Sequence, residues 1–514
     1  MHLEIEKGHI PDQLYDELGF SDYLQLFVLD VPLLTGRLLR PMGREEGLAH
    51  FKALAQMEAV LDDGDVSLLF GLCCELPNLD RLLPAYEQQT LEQYHLFELG
   101  RFLEVEQRLA SREKNFSLEV ANRSFLGRMV DILKDATRNG YSAMREGDGE
   151  KSIRIRIENI ESRLKTALAR HEERIVRLTG LKMIYPYPRE LVETPGENIL
   201  SCPFVTVRKE GAYWLVEHSL EPDALRLVKE RDELEQLLEE RMACLLAGIN
   251  DQLLPYFEQF SACYTSYKKR AYRYLLLSVK MDKSLCLPQF VSESGCSVTQ
   301  GVMPVLRQKK NRCVPLDIDM QKGANVLYGS HMSGKTTVLK TLYFFLSLIR
   351  VGLPVPAGAI RLNYPEELSI MLRSSGDLQQ EISSFAEELT FFAKERKKGA
   401  FVFVDELFLS TDPVNGARLS DVFIREFTTK DMVFLCTTHY PTVLDIADIT
   451  LLKMVDCHEN TLATVCENMP YRVKKITDAG ERNALKGNSR PLEIALLFPF
   501  SEDVKEKIRK RIDS

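Results

Sequence analysis

Residues 329 to 342 read GSHMSGKTTVLKTL, and Gly329, Gly334, Lys335 and Thr336 fulfil the spacing G-x-x-x-x-G-K-[ST]. This is the pattern of a loop that wraps phosphate. Glycines let backbone N–H groups approach anionic oxygens with no Cβ in the way, and a helix starting at the loop adds partial positive charge. Ser330, His331, Met332 and Ser333 form the rest of the wrap, and Thr337 follows on the first helical turn. Lys335 is expected to reach the β- and γ-phosphates, and the Thr336 hydroxyl to face Mg²⁺. The apolar run FVFV next ends in Asp405-Glu406, with Asp405 suited to the metal shell and Glu406 to orienting or deprotonating a water. A third apolar run, VFLC, ends at Thr437-Thr438-His439, and His439 is a candidate to sense the γ-phosphate or the water. No N-K-x-D guanine-reading motif occurs. The expected ligand is therefore ATP with Mg²⁺, and hydrolysis the expected reaction.

These residues need elements to hold them. NVLY reads as a strand entering the loop and TTVLKTLYFFLSLI as the helix leaving it. From about residue 290 on, short apolar runs alternate with helical segments, the pattern of a buried, largely parallel sheet with crossover helices. Upstream the periodicity is helical. KSIRIRIENIESRLKTALARHEERIVRL aligns Ile153, Ile157, Ile160, Leu164 and Leu168 on one stripe. ALRLVKERDELEQLLEERMACLLAGI aligns Leu227, Leu234, Leu238, Leu245 and Ile249. Two long amphipathic helices, a coiled-coil lever, are expected. Between them FVTVRKEGAYWLVEHSL alternates as a hairpin turning at Lys209-Glu210-Gly211. Residues 20 to 145 read as a helical core.

The fold class expected is multidomain α plus α/β. Residues 1–145 are expected to form a helical core, 146–290 lever helices with a small β tip, and 291–514 a P-loop α/β domain. The 514 residues are 45% hydrophobic and 27% charged, with net charge −9, so no global attraction to nucleic-acid phosphate is expected. The eleven cysteines form no CxxC pair, which argues for free thiols rather than structural zinc or disulfides. No run of 18 apolar residues occurs and the first residues carry early acids, so a cytoplasmic protein without a membrane span is expected.

The order strand–GxxxxGKT–helix, VDE, TTHY resembles the MutS branch of ABC-type ATPases. VLYGSHMSGKTTVLKTL is similar to that family's GPNMxGKST loop, with Ser330 and His331 in place of proline and asparagine. GLPVPA, SSGDLQQEISSFAEEL, DELFLSTDPVNG and the closing RPLEIALLFPFSEDVKEKIRKRI resemble further family segments. The resemblance implies that residues 291–514 are an ATPase domain of ABC type with a C-terminal dimerisation segment, and that the protein is a dimer, homomeric or with a related subunit. It also implies that Ser383, as the signature serine, reaches the ATP of the opposite subunit. The mismatch-reading domain is not expected. The stretch QKKNRCVPLDIDM lacks the family's adenine-stacking aromatic, and the GRG after the acidic pair is missing.

Two clients are open at this stage. The missing reading domain, short β tip and acidic balance resemble the ATPase component of a reactivating factor for a cobalamin-dependent aminomutase of the lysine 5,6-aminomutase type. The alternative is a DNA-structure binder acting on branched or recombining DNA. It rests on basic residues beside aromatics in YKKRAYRY and on the clusters RQKKNR and KERKKG.

Overall fold

The computed structural model describes residues 4–6, 9–27, 34, 38–113, 124–182, 189–305, 314–329, 333–372, 381–454, 472–485 and 502–512. The chain forms two compact units. One comprises residues 77–107 and 120–265, the other residues 1–76, 108–119 and 266–514. Residues 1–76 thus group with the carboxy-terminal region. The contacts responsible are specific. The Tyr23 hydroxyl donates to the Pro354 carbonyl at 2.6 Å, and the Tyr364 hydroxyl to the Met42 carbonyl at 2.9 Å. The His50 ring bonds the Gly352 carbonyl at 3.0 Å, and Phe20 packs on Phe344 with ring centroids 4.7 Å apart.

In the first unit the expected long helices are present as α1 (Asp148–Thr179) and α2 (Pro222–Leu253), with a tip of β1 (Arg189–Val192), β2 (Val205–Glu210) and β3 (Tyr213–His218) between them. Ile153, Ile157, Ile160 and Leu164 of α1 pack against Ala224, Leu227 and Leu234 of α2. Ion pairs at both ends, Glu150–Arg241 at 3.3 Å and Arg174–Glu221 at 3.0 Å, show that the helices run antiparallel. The stripe is shorter than its periodicity: Leu245 is 38% exposed. The hairpin turns at Gly211-Ala212, one step later than expected, with Glu210 opposite Tyr213. Gly211 has φ 63°, the left-handed conformation that the first position of a tight hairpin turn requires. A third strand, β1, pairs antiparallel with β3, so the strand order is β1-β3-β2.

The second unit is built around a six-stranded sheet. Its members are β4 (Gly323–Tyr328), β5 (Leu368–Met371), β6 (Phe401–Val404), β7 (Val433–Thr438), β8 (Thr450–Met454) and β9 (Val473–Ile476). The order is β5-β6-β7-β4-β8-β9, parallel except for β9. Every residue of β4, β6 and β7 is buried, as strands covered on both faces must be. Helices α3 (Lys335–Arg350), α4 (Glu381–Ala393) and α5 (Pro413–Thr428) connect them. A smaller sheet of Leu316–Gln321, Gly295–Gly301, Ala359–Leu362 and Gln289–Phe290, in that order, belongs to the same unit. Among the described residues, no helix is long and apolar enough to cross a membrane.

The first unit carries two measurable consequences. Ile160, 3% exposed in the α1–α2 seam, leaves a cavity when truncated, and Ile160→Ala is expected to cost about 2–5 kcal/mol in denaturant unfolding. A loss under 1 kcal/mol would mean that the seam is not tightly packed.

His171 and His218 are both buried, with Nε2 and Nδ1 3.3 Å apart, and Glu221, itself paired with Arg174, lies 3.6 Å from His171. Burial first, and then the neighbouring His171, hold the His218 pKa below its ordinary value against the opposing pull of Glu172. The unfolded chain therefore takes up a proton at His218 that the folded chain resists. Stability from this site is whole above the unfolded pKa of about 6.5 and is lost as pH falls through and below it. The thermal midpoint is expected to drop between pH 7.5 and 5.5 and the drop to shrink in His218→Gln. An identical drop in that variant would remove His218 as its source.

Candidate functional site

The loop at 329–336 leaves the carboxyl end of β4, between β7 and β8. Its strand is held by residues suited to nothing else. Gly323 has φ 87°, and a Cβ there would lie 2.7 Å from the Thr428 carbonyl oxygen. Asn325 is fully buried. Its amide donates to the carbonyls of Gln321 at 2.8 Å and Gly323 at 3.1 Å, and its oxygen accepts from the Gln321 N–H at 2.9 Å. At the other end of the loop Gly334, with φ 93°, precedes the first turn of α3. An L-side chain there would be strained, so the glycine spacing of the motif answers a backbone need.

Lys335 is 5% exposed and donates from Nζ to the Gly329 carbonyl at 2.8 Å, closing the loop on itself. Desolvation lowers its pKa, while Glu406 and Asp405 pull the other way. Thr336 Oγ1 donates to Asp405 Oδ2 at 2.7 Å. The second oxygen, Oδ1, accepts from Thr437 Oγ1 at 2.7 Å. The backbone N–H of Asp405 donates to the Met371 carbonyl at 2.9 Å, so the end of β5 also fixes it. Thus the loop, β6 and β7 meet at one buried carboxylate.

Glu406 sits at φ 51°, left-handed for a non-glycine residue, and its N–H donates to Thr437 Oγ1 at 2.7 Å. Such a conformation costs on the order of 1–3 kcal/mol and persists only where the surroundings enforce it. It turns the chain off β6 directly after Asp405. His439 follows β7 and is half-buried, its ring centroid 4.7 Å from that of Tyr440. Tyr440 anchors the segment: its N–H donates to Thr438 Oγ1 at 3.1 Å and its hydroxyl to the Phe408 carbonyl at 3.2 Å. Asp412 caps α5, accepting from the Val414 and Asn415 N–H groups.

The arrangement therefore brings Gly329, Gly334, Lys335, Thr336, Asp405 and Glu406 to one edge of the sheet, with His439 at the end of the neighbouring strand. Ser333 and Thr337 flank them in the described chain, whereas Ser330, His331 and Met332 lie outside the described residues. Ser383 falls in the first turn of α4, and its side chain also lies outside them. Sequence reasoning missed the bridging role of Thr437. Its one visible signal was a hydroxyl at a strand end beside the acidic pair.

The donor set suits Mg²⁺ shared with a nucleotide. No group of three or more His, Cys, Asp and Glu among the described residues is placed to hold a metal alone. One hydroxyl already bonded to one carboxylate is what a hard cation completed by phosphate oxygens and water requires.

The aromatic-basic stretch behaves otherwise. Tyr267, Tyr272 and Tyr274 are buried and cannot stack on bases. Arg270 pairs with buried Glu113 at 2.7 Å and lies over the Tyr267 ring. In KERKKG, Arg396 is held by Glu367, Ser369 and the Phe391 carbonyl, while Lys394, Lys397 and Lys398 are exposed. RQKKNR, residues 307–312, lies outside the described residues.

No family model matches the chain. Curated relatives do. It is 28% identical over 220 residues to a protein named endonuclease MutS2 from Symbiobacterium thermophilum, covering 41% of this chain and 26% of that protein. It is 22% identical over 442 residues to the endonuclease MutS2 of Caldicellulosiruptor saccharolyticus, covering 77% and 53%. It is 27% identical over 299 residues to that of Carboxydothermus hydrogenoformans, covering 53% and 38%. The chain thus spans between about a quarter and about half of the length of these relatives. At 22–28% identity they support a MutS-related chain and lend nothing to the aminomutase-reactivase subtype.

Proposed function

We propose that this chain is a MutS-related, ATP-hydrolysing switch that works on DNA as one of a pair of subunits. One observation carries the reading. Thr336 of the phosphate-type loop, Asp405 at the end of β6 and Thr437 at the end of β7 are joined by 2.7 Å hydrogen bonds, with Glu406 tied to the same hydroxyl. Strand carboxyl ends beside a glycine-rich loop and a helix N-terminus are where open α/β sheets take phosphate ligands.

Bound ATP·Mg²⁺ would supply the phosphoanhydride to be cleaved and a cation to offset charge on the terminal phosphate. Thr336 and Asp405 are the residues that would hold the cation. Lys335 brings an ammonium that its buried setting leaves poorly solvated, so an anionic partner is favoured over water. Gly329 to Thr337 provide the wrap. Glu406 is the group to orient and deprotonate the attacking water, and His439 the group to report on the terminal phosphate. Ser383 is assigned to the partner subunit's nucleotide. In this reading residues 1–145, 146–290 and 291–514 serve as core, lever with tip, and ATPase.

DNA is preferred to the aminomutase as client because the relatives are named endonucleases, a name that speaks of nucleic acid and not of cobalamin. Lys394, Lys397 and Lys398 of KERKKG are exposed basic groups that a phosphate backbone could use. The buried tyrosines take no part.

Glu406→Gln is expected to retain ATP and to lose turnover by about 10²–10⁴-fold, measured by filter binding and phosphate release. Unimpaired turnover would strip Glu406 of its role. Wild-type turnover is expected to rise with branched duplex and to lose that rise steeply between 50 and 200 mM salt. Stimulation by a cobalamin-dependent aminomutase, and none by DNA, would reverse the choice of client.

A further inference from the structure

We infer that Thr437 is a positioning residue of the hydrolytic centre, whose single hydroxyl locks the metal-side carboxylate and the water-side glutamate into one unit. The inference rests on the ATPase reading above and adds to it a residue that the phosphate-loop and acidic-pair motifs do not contain.

The argument begins with the capacity of a hydroxyl, which has one proton to donate and lone pairs to accept. Thr437 Oγ1 uses both. It donates to Asp405 Oδ1 at 2.7 Å and accepts the Glu406 N–H at 2.7 Å. The same residue's carbonyl accepts the Leu407 N–H at 3.1 Å. Thr437 therefore touches three consecutive residues, 405, 406 and 407, from the neighbouring strand. Thr437 is fully buried and Asp405 is 8% exposed, so water does not readily substitute for these bonds. The proton direction is fixed by chemistry: Asp405 as a carboxylate only accepts and the Glu406 amide only donates.

The bonds have a task. Asp405 has two oxygens, and Thr437 occupies one, leaving Oδ2 turned toward Thr336 of the loop. Glu406 occupies a left-handed backbone conformation that its own side chain disfavours. Its N–H donates to Thr437 Oγ1. Remove the hydroxyl and both constraints go together: the carboxylate is free to rotate and the turn free to relax. A valine of the same shape keeps the packing and removes only the hydroxyl.

The test compares Thr437→Val, Thr437→Ala and Thr437→Ser in the full chain, with two readouts. The first needs no nucleotide. Amide hydrogen exchange over residues 405–407 should quicken at least tenfold in the Val and Ala variants and stay near wild type in Ser. The second is turnover against Mg²⁺ concentration. Val and Ala should lose about 10–100-fold in turnover or in apparent Mg²⁺ affinity while holding ATP without metal as wild type does, and Ser should restore both. Wild-type exchange and turnover in Thr437→Val would overturn the inference. So would a folded Thr437→Ser as impaired as Thr437→Ala, since the methyl group and not the hydroxyl would then matter. If Thr437→Val does not fold, the Ser–Ala comparison decides alone. A wild-type protein that neither binds nor cleaves ATP sinks the ATPase reading instead, and the exchange result still reports on the lock.

Discussion

A buried carboxylate has to be satisfied, and Asp405 is satisfied by hydroxyls from a helix start and a strand end. Thr336 comes from the first turn of α3 and Thr437 from the end of β7. Hydrogen bonds to a charged group contribute about 1.5–3 kcal/mol each, and leaving such a group unpaired costs more than that. The sheet order follows this need closely. Only with β6 beside β7 and β7 beside β4 do the three residues converge. Lys335, bonded to the loop carbonyl of Gly329, adds a cation near the two carboxylates.

Around that point the sheet is made as rigid as apolar packing allows. Phe401, Val402, Phe403 and Val404 are buried without exception, and so are all six residues of β7. Phe427 stacks on Phe434 with centroids 4.3 Å apart, and Phe392 packs against Phe408 and Phe423. A close-packed interior of this kind does not deform gradually. It can therefore hold Glu406 and Phe408 in left-handed conformations, at φ 51° and 52°, that an isolated turn would abandon. Gly416 belongs to the same design: a Cβ there would lie 2.6 Å from the Phe408 carbonyl and 2.4 Å from the Tyr440 hydroxyl.

The unit with the long helices follows different physics. Its seam is a stripe of isoleucine and leucine, closed by ion pairs at either end, and its tip is a three-stranded sheet. Buried His218 is a polar weakness of this unit, since burial disfavours its charged form.

The amino-acid sequence by itself determined whatever is local. The phosphate-loop spacing, the two helical stripes, the hairpin glycine and the strand ends bearing Asp405, Glu406 and His439 are all encoded within a few residues of one another, and periodicity or φ preference exposes them. Tertiary structure alone decided the rest. Thr336 and Asp405 are 69 residues apart and Thr437 and Asp405 are 32 apart, so no local pattern announces their contact. The burial of Tyr267, Tyr272 and Tyr274, the exposure of Leu245 and the grouping of residues 1–76 with the sheet are of the same kind. Each depends on which distant segment covers a given face, and that is settled by strand order and packing rather than by the residues on either side.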